Sequence, residues 1–207
     1  MSEKRNGDGT FFAALSRMKY IERWALMRNS RPENLCEHSM EVAMIAHALC
    51  MIGNVRFGKD LNADRAAVLG LFHDAPEIIT GDMPTPVKYY SDEIRSAYKH
   101  VEEVAQRRLL AGLPEDLREL YSGLLRPEKT VRPSEEERYL QRLVKAADKI
   151  SALIKCMEEE SAGNTEFSSA RAATEEKLSE LREQLPEAGV FLDEFLPSYG
   201  KTLDERL

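Results

Sequence analysis

The sequence predicts an all-α protein. Apolar residues recur at helical spacing along most of the chain, convincing alternation with period two is absent, and glycine and proline breakers delimit segments of ordinary helix length. The pattern predicts helices near residues 10–28, 37–53, 62–75, 91–111, 114–124, 134–160, 165–184 and 188–196.

The breakers justify these elements in turn. Arg31-Pro32 closes the first. Gly53-Asn54 and Gly58 separate the second from the third. Gly81, Pro84 and Pro86 make residues 80–88 a rigid turn. Gly112 and Pro114 part the fourth helix from the fifth, and Pro127 and Pro133 precede the sixth. Residues 126–138 read as a charged, solvated loop entering that helix. Gly163-Asn164 and Pro186 bound the seventh. No repeat, low-complexity tract or linker intervenes, so the expectation is a single domain over 1–207, with a catalytic core about 10–160 and a helical extension about 161–207.

Bulk properties exclude several classes. With 43% hydrophobic and 31% charged residues the chain suits a globular protein. There is no apolar run of about 18 residues and no apolar core near the N-terminus, so neither a membrane span nor a secretory leader is expected. Cys36, Cys50 and Cys156 are odd in number and lack CxxC spacing, which points to reduced thiols and a cytoplasmic protein. The net charge of −7 argues against a nucleic-acid polymer as partner. Residues 1–31 nevertheless carry +4 and the remainder −11, and such a local basic cluster suits a small anionic ligand.

The chemistry concentrates in a few polar residues on apolar helix faces. His38 shares a face with Val42, Ile45 and Leu49, so it points inward. His47 is half a turn away, and His100 sits among charged residues at the surface. His73 follows Ala66 and Leu69 at seven and four residues, and Asp74 comes next. Two adjacent polar groups closing an apolar helix are expensive to bury unless a divalent metal satisfies them. Asp148 borders the stripe Leu143, Ala147, Ile150, Ile154, Met157. Each residue alone also has a structural reading: a hydrogen-bonded core histidine, or, for Asp148, a carboxylate paired with Lys145 or Arg142.

The order His, His-Asp, Asp, separated by 35 and then 74 residues, resembles the signature of the HD superfamily of metal-dependent phosphohydrolases. Arg23-Trp24, Glu37-His38-Ser39, His73-Asp74, Thr80-Gly81-Asp82 and Pro84-Thr85-Pro86 resemble, more narrowly, its bacterial 5′-deoxynucleotidase family. The resemblance covers nearly the whole chain and implies an HD-domain helical bundle with a C-terminal helical extension. It implies hydrolysis of deoxyribonucleoside 5′-monophosphates by a homodimer. It implies one divalent ion held by His38, His73, Asp74 and Asp148. Cobalt or manganese is favoured, with iron, nickel, zinc, copper or magnesium as alternatives. It implies that Arg23 orients the phosphate, Trp24 lies against the sugar and helps exclude a ribose 2′-hydroxyl, and Glu77 handles the proton of the attacking water. It also implies that Asp82, Met83, Pro84 and Thr85 line the nucleotide site, with Asp74 and Asp148 facing substrate.

Residue chemistry agrees with these roles. A guanidinium forks onto phosphate oxygens. Glu77 follows His73 by four residues, although Pro76 disfavours a continuous helix there and suggests one ending near Asp74 and another starting at Pro76. Lys88 reads as solvated, and Cys36 as a buried or partly buried thiol outside the ligand face. Two rival functions stay open on the sequence: another HD phosphohydrolase acting on nucleoside triphosphates or cyclic nucleotides, and a non-catalytic helical metal-binding scaffold.

Overall fold

The computed structural model describes residues 7–88, 90–125 and 133–206, apart from the side chains of Leu203 and Arg206. Most of the predicted solvated loop, residues 126–132, lies outside the described residues. The elements are helices α1 (Phe11–Leu15), α2 (Leu35–Phe57), α3 (Ala63–Phe72), α4 (Glu77–Thr80), α5 (Thr85–Lys88), α6 (Asp92–Ala111), α7 (Glu115–Leu125), α8 (Glu135–Ser161), α9 (Ser168–Gln184), α10 (Pro186–Glu194) and α11 (Leu203–Arg206). Short 3₁₀ turns occupy Ser16–Tyr20, Thr165–Phe167 and Leu196–Gly200. Among the described residues the only extended pairing is an isolated antiparallel bridge, Glu22 to Asn34.

Local chemistry explains the helix starts. Asn34 Oδ1 accepts from the N–H groups of Cys36 and Glu37 at 3.0 and 3.1 Å, and Glu37 Oε2 reaches back to the Asn34 N–H. This reciprocal cap fixes the first turn of α2. Ser91 and Ser134 accept from the N–H groups of Ile94 and Glu137 to start α6 and α8.

The chain divides into two compact units. The first comprises Met1–Leu26, Glu33–Ser39 and Phe72–Pro133. Its core gathers Phe11, Met18, Leu35, Ala75, Leu109, Leu110, Leu113 and Leu125. Phe11, Phe12 and Phe72 meet Tyr121 edge-on, with centroids 5.1 to 6.0 Å from its ring.

The second unit comprises Met27–Pro32, Met40–Leu71 and Ser134–Leu207. Within it α8 packs against α9 and α10. At Gly70 a Cβ would come within 2.9 Å of the Ala43 Cα, so glycine is what lets α3 approach α2 there. Helix α2 passes a length and hydropathy test for a membrane span. More than half of that window is buried inside the protein, the condition of a core helix.

One predicted helix is corrected. Residues 10–28 are not a continuous helix: α1 and a 3₁₀ turn end at Tyr20 and the chain leaves helical geometry at Ile21 (φ −96°, ψ 110°). The segment then doubles back, with Arg23 N–H donating to Glu33 C=O at 2.9 Å and Leu35 N–H to Ile21 C=O at 2.9 Å. These non-local bonds override the helical periodicity. Two smaller expectations also change. Cys36 is exposed, because the Asn34 cap turns it outward on the first turn of α2. Lys88 is half-buried and pairs with Glu102 at 2.9 Å.

Candidate active site

The first unit positions the polar residues singled out in the sequence. His38 lies in the second turn of α2 and is wholly buried. Helix α3 ends at Phe72, so His73 and Asp74 fall in the tight turn that follows, closed by Ala75 N–H to Phe72 C=O and Glu77 N–H to Asp74 C=O. Pro76 caps α4 with φ −59°, which resolves the difficulty it posed: one helix stops, a turn carries the His-Asp pair, and a new helix opens at Glu77.

The turn aims His73 and Asp74 at His38. Asp74 Oδ2 lies 2.9 Å from His73 Nε2 and 3.5 Å from His38 Nε2. The three donor atoms that His38, His73 and Asp74 offer lie within 4.8 Å of one another. Burial alone would raise the pKa of Asp74. The charge and hydrogen bonding of the two imidazoles outweigh burial and hold its carboxyl well below the usual carboxylate range. Two imidazole nitrogens turned onto one carboxylate oxygen form a donor set that a divalent transition metal fits.

Glu77 stands beside this cluster, 9% exposed, and its Oε2 meets no hydrogen-bond donor among the described residues. Burial, then the charges of Asp74 and Asp82, push its carboxyl up to about 10. Asp82 is raised as well, chiefly by burial, against the lowering effect of Arg23. A cation placed among these carboxylates would lower both.

Arg23 and Trp24 sit on the segment that doubles back. Trp24 has φ +58°, the only non-glycine residue described in the left-handed region. Its N–H donates to Asp82 Oδ2 at 3.3 Å, its indole N–H to Glu33 Oε2 at 3.1 Å, and the Arg23 guanidinium lies 5.7 Å from its ring centroid. Arg23 Nη1 also donates to Glu33 Oε2, at 2.8 Å. Met83 and Pro84 are half-buried in the connection that follows Asp82, and Thr85 opens α5 at an exposed position.

Asp148 belongs to the second unit, on α8, where its Oδ2 lies 3.0 Å from Lys149 Nζ. Lys149 is thus a cation paired with it, where the structural reading of the sequence had pointed to Lys145 or Arg142. Sequence reasoning missed Glu33. Its only signal was a carboxylate ten residues from Arg23, which no helical spacing makes significant.

A turn-borne His-Asp pair facing a histidine on a buried helix, inside an all-helical fold, defines a phosphohydrolase of the HD class. The solved HD-domain phosphohydrolase of Listeria innocua superposes with a TM-score of 0.78 at 26% identity, covering 93% of this chain and 89% of that one. At the level of fold alone, the HD phosphohydrolase DatZ of cyanophage S-2L, solved with dA and one catalytic Zn²⁺, matches with a TM-score of 0.56 at 18% identity over 96% of this chain and 98% of its own.

The narrower family follows from the sequence as a whole. The family model described as 5′-deoxynucleotidase YfbR-like matches residues 10–199, and the chain belongs to that family. A relative named 5′-deoxynucleotidase from Erwinia tasmaniensis is 49% identical over 195 residues, 94% of each chain. Membership makes the protein a phosphoric monoester hydrolase and sets aside the scaffold and the triphosphate or cyclic-nucleotide readings.

Proposed function

We propose that the protein hydrolyses deoxyribonucleoside 5′-monophosphates to deoxyribonucleoside and phosphate, using one divalent cation held by His38, His73, Asp74 and Asp148. The observation that carries the reading is the convergence of His38, His73 and Asp74 donors beside a buried Glu77 whose Oε2 meets no donor among the described residues. The assignment of Asp148 rests on the family resemblance. Cobalt or manganese is the preferred cation by the same resemblance, and the mixed nitrogen and carboxylate donor set accommodates either.

When bound, a divalent cation supplies Lewis acidity, which polarises a phosphoryl oxygen and makes water easier to ionise. The chain's own residues do the rest. Arg23 presents a planar guanidinium to the phosphate and offsets charge that builds there. Glu77, in a site dry enough to raise its proton affinity, accepts the proton of the attacking water. The Trp24 ring lies against the sugar and leaves no room for a 2′-hydroxyl. Asp82 fixes the Trp24 backbone through its N–H, while Met83, Pro84 and Thr85 complete the wall of the nucleotide site.

The test is phosphate release from matched deoxy- and ribonucleoside 5′-monophosphates, with chelator and after adding back single metals. Release confined to the deoxy member, abolished by chelator and restored by cobalt or manganese, supports the reading. Equal turnover of both sugars refutes the specificity, and turnover indifferent to chelator refutes the metal.

The working form is a homodimer in a cytoplasmic setting. Three free thiols, with Cys36 exposed, suit a reducing compartment. Helix α2 exposes Met40, Met44, Met51 and Val55 along one stripe, with Leu71 of α3 also exposed. Met40, Ala43, Met44, His47, Ala67 and Leu71 line a shallow apolar groove of about 400 Å³. The stripe reads nearly the same in both directions about residues 47–48, setting Met40 against Val55 and Met44 against Met51 in an antiparallel second copy. Met44→Lys with Met51→Lys is expected to yield monomers by sedimentation. A persistent dimer would move the interface elsewhere.

A further inference from the structure

We infer that Glu33 is a positioning residue that locks the phosphate arm, the sugar wall and one metal ligand into a single register. This rests on the roles of Arg23, Trp24 and His38 proposed above. One oxygen, Glu33 Oε2, accepts from Arg23 Nη1 at 2.8 Å and from Trp24 Nε1 at 3.1 Å. The other, Oε1, faces His38 Nδ1 at 3.8 Å. The pair is shielded, with side chains 10% exposed for Arg23 and 13% for Glu33. The backbone repeats the tie, since Glu33 C=O accepts from Arg23 N–H at 2.9 Å.

A salt bridge that merely secured a loop would need only one of these partners. Consecutive residues of an extended chain point to opposite sides, so Arg23 and Trp24 would ordinarily diverge. The left-handed backbone at Trp24 turns its indole onto the same oxygen that holds the guanidinium. One carboxylate therefore sets the distance between the group that reads phosphate and the group that reads sugar. The guanidinium has five N–H donors, and committing Nη1 to Glu33 fixes the plane of the fork offered to phosphate. On His38, a carboxylate facing Nδ1 favours the tautomer that carries its proton there, which leaves the Nε2 lone pair to the cation when one is bound. Loss of Glu33 is thus expected to blur sugar discrimination as well as slow the reaction, because ring and guanidinium then move independently.

The experiment compares Glu33→Gln and Glu33→Asp with Arg23→Ala and Trp24→Ala in the full chain. Trp24 is the only tryptophan, so its fluorescence in metal-free protein reports the Glu33 contact without any turnover. The expected result for Glu33→Gln is a shifted Trp24 emission and a fall of about 10–100-fold in kcat/KM for the deoxynucleotide, the range seen when a group that orients a metal ligand is removed. The deoxy-to-ribo preference falls with it, and calorimetric Mn²⁺ affinity weakens. Glu33→Asp recovers part of each. An equal loss on both sugars, or an unchanged emission, overturns the inference. Wild-type selectivity in Glu33→Gln while Arg23→Ala and Trp24→Ala fail sinks Glu33 alone. Wild-type activity in Arg23→Ala and Trp24→Ala sinks the functional reading beneath it.

Discussion

Glu77 and Glu159 are both withdrawn from water, at 9% and 1% exposed, yet their surroundings drive them in opposite directions. Glu159, on α8, is saturated with donors. Its carboxylate accepts from Ser30 N–H at 2.7 Å, Arg31 N–H at 3.2 Å, Asn164 Nδ2 at 2.8 Å and the Lys155 ammonium. Burial would raise its pKa, but this set of donors holds it far below the usual glutamate range. Glu77 has Asp74 and Asp82 for neighbours, whose charges with burial outweigh those of Lys88 and Arg23, and its Oε2 meets no donor among the described residues. A carboxylate that serves architecture is complete as it stands, whereas the one proposed to serve chemistry keeps an oxygen that no donor among the described residues meets. An unmet acceptor of this kind is what the proposed cation and substrate site would use.

The largest separation between the two should appear in turnover. Glu77→Ala is expected to lower kcat by about 10²–10⁴-fold, the usual worth of a positioned general base, while its melting temperature stays close to wild type. Steady-state kinetics alongside a thermal melt checks both halves. Full activity in that variant would remove Glu77 from the mechanism.

Glu159→Ala should invert the pattern. It leaves the buried Lys155 ammonium with the Arg31 C=O but no counter-charge, and takes the acceptor from the N–H groups of Ser30 and Arg31, at a cost of about 3–5 kcal/mol, read by denaturant unfolding. The fraction that stays folded keeps its kcat.

Acid sharpens the contrast. Because the folded pKa of Glu159 is depressed below the ordinary 4.5, the unfolded chain takes up the proton first. Its stabilising contribution is whole above pH 4.5 and drains away as pH falls toward the folded value. Glu159→Gln should flatten that acid limb in pH-dependent unfolding, and an unaltered limb would contradict the saturated-carboxylate picture.

The smallest effect carries the opposite sign. Glu77 in metal-free protein keeps a proton that the unfolded chain gives up at about 4.5, so it costs stability progressively as pH climbs from there toward about 10. Glu77→Gln should therefore melt slightly higher than wild type at pH 8 and no higher at pH 4. Added Mn²⁺ should narrow the gap by favouring the wild-type carboxylate.

Part of the candidate site could be read from the sequence because it lies on regular helix or directly at a helix end. His38 follows from the face it shares with Val42, Ile45 and Leu49, all buried with it. The break at Pro76 was legible too, since proline's constraints are local. What escaped was the segment from Ile21 to Asn34. Its periodicity as far as residue 28 suggests helix, and only bonds between residues ten or more apart, such as Arg23 to Glu33, show otherwise. The importance of Glu33 depends wholly on that fold-back. Lys88 was misjudged for a similar reason: its partner, Glu102, stands on another helix.

The left-handed backbone at Trp24 has a consequence for anyone wishing to toughen this enzyme. A bulky side chain held at φ +58° forfeits about 1–3 kcal/mol that glycine would recover at once. Directed evolution under heat selection alone would thus be drawn to position 24, and on the role proposed for Trp24 would harvest robust proteins with their sugar discrimination lost.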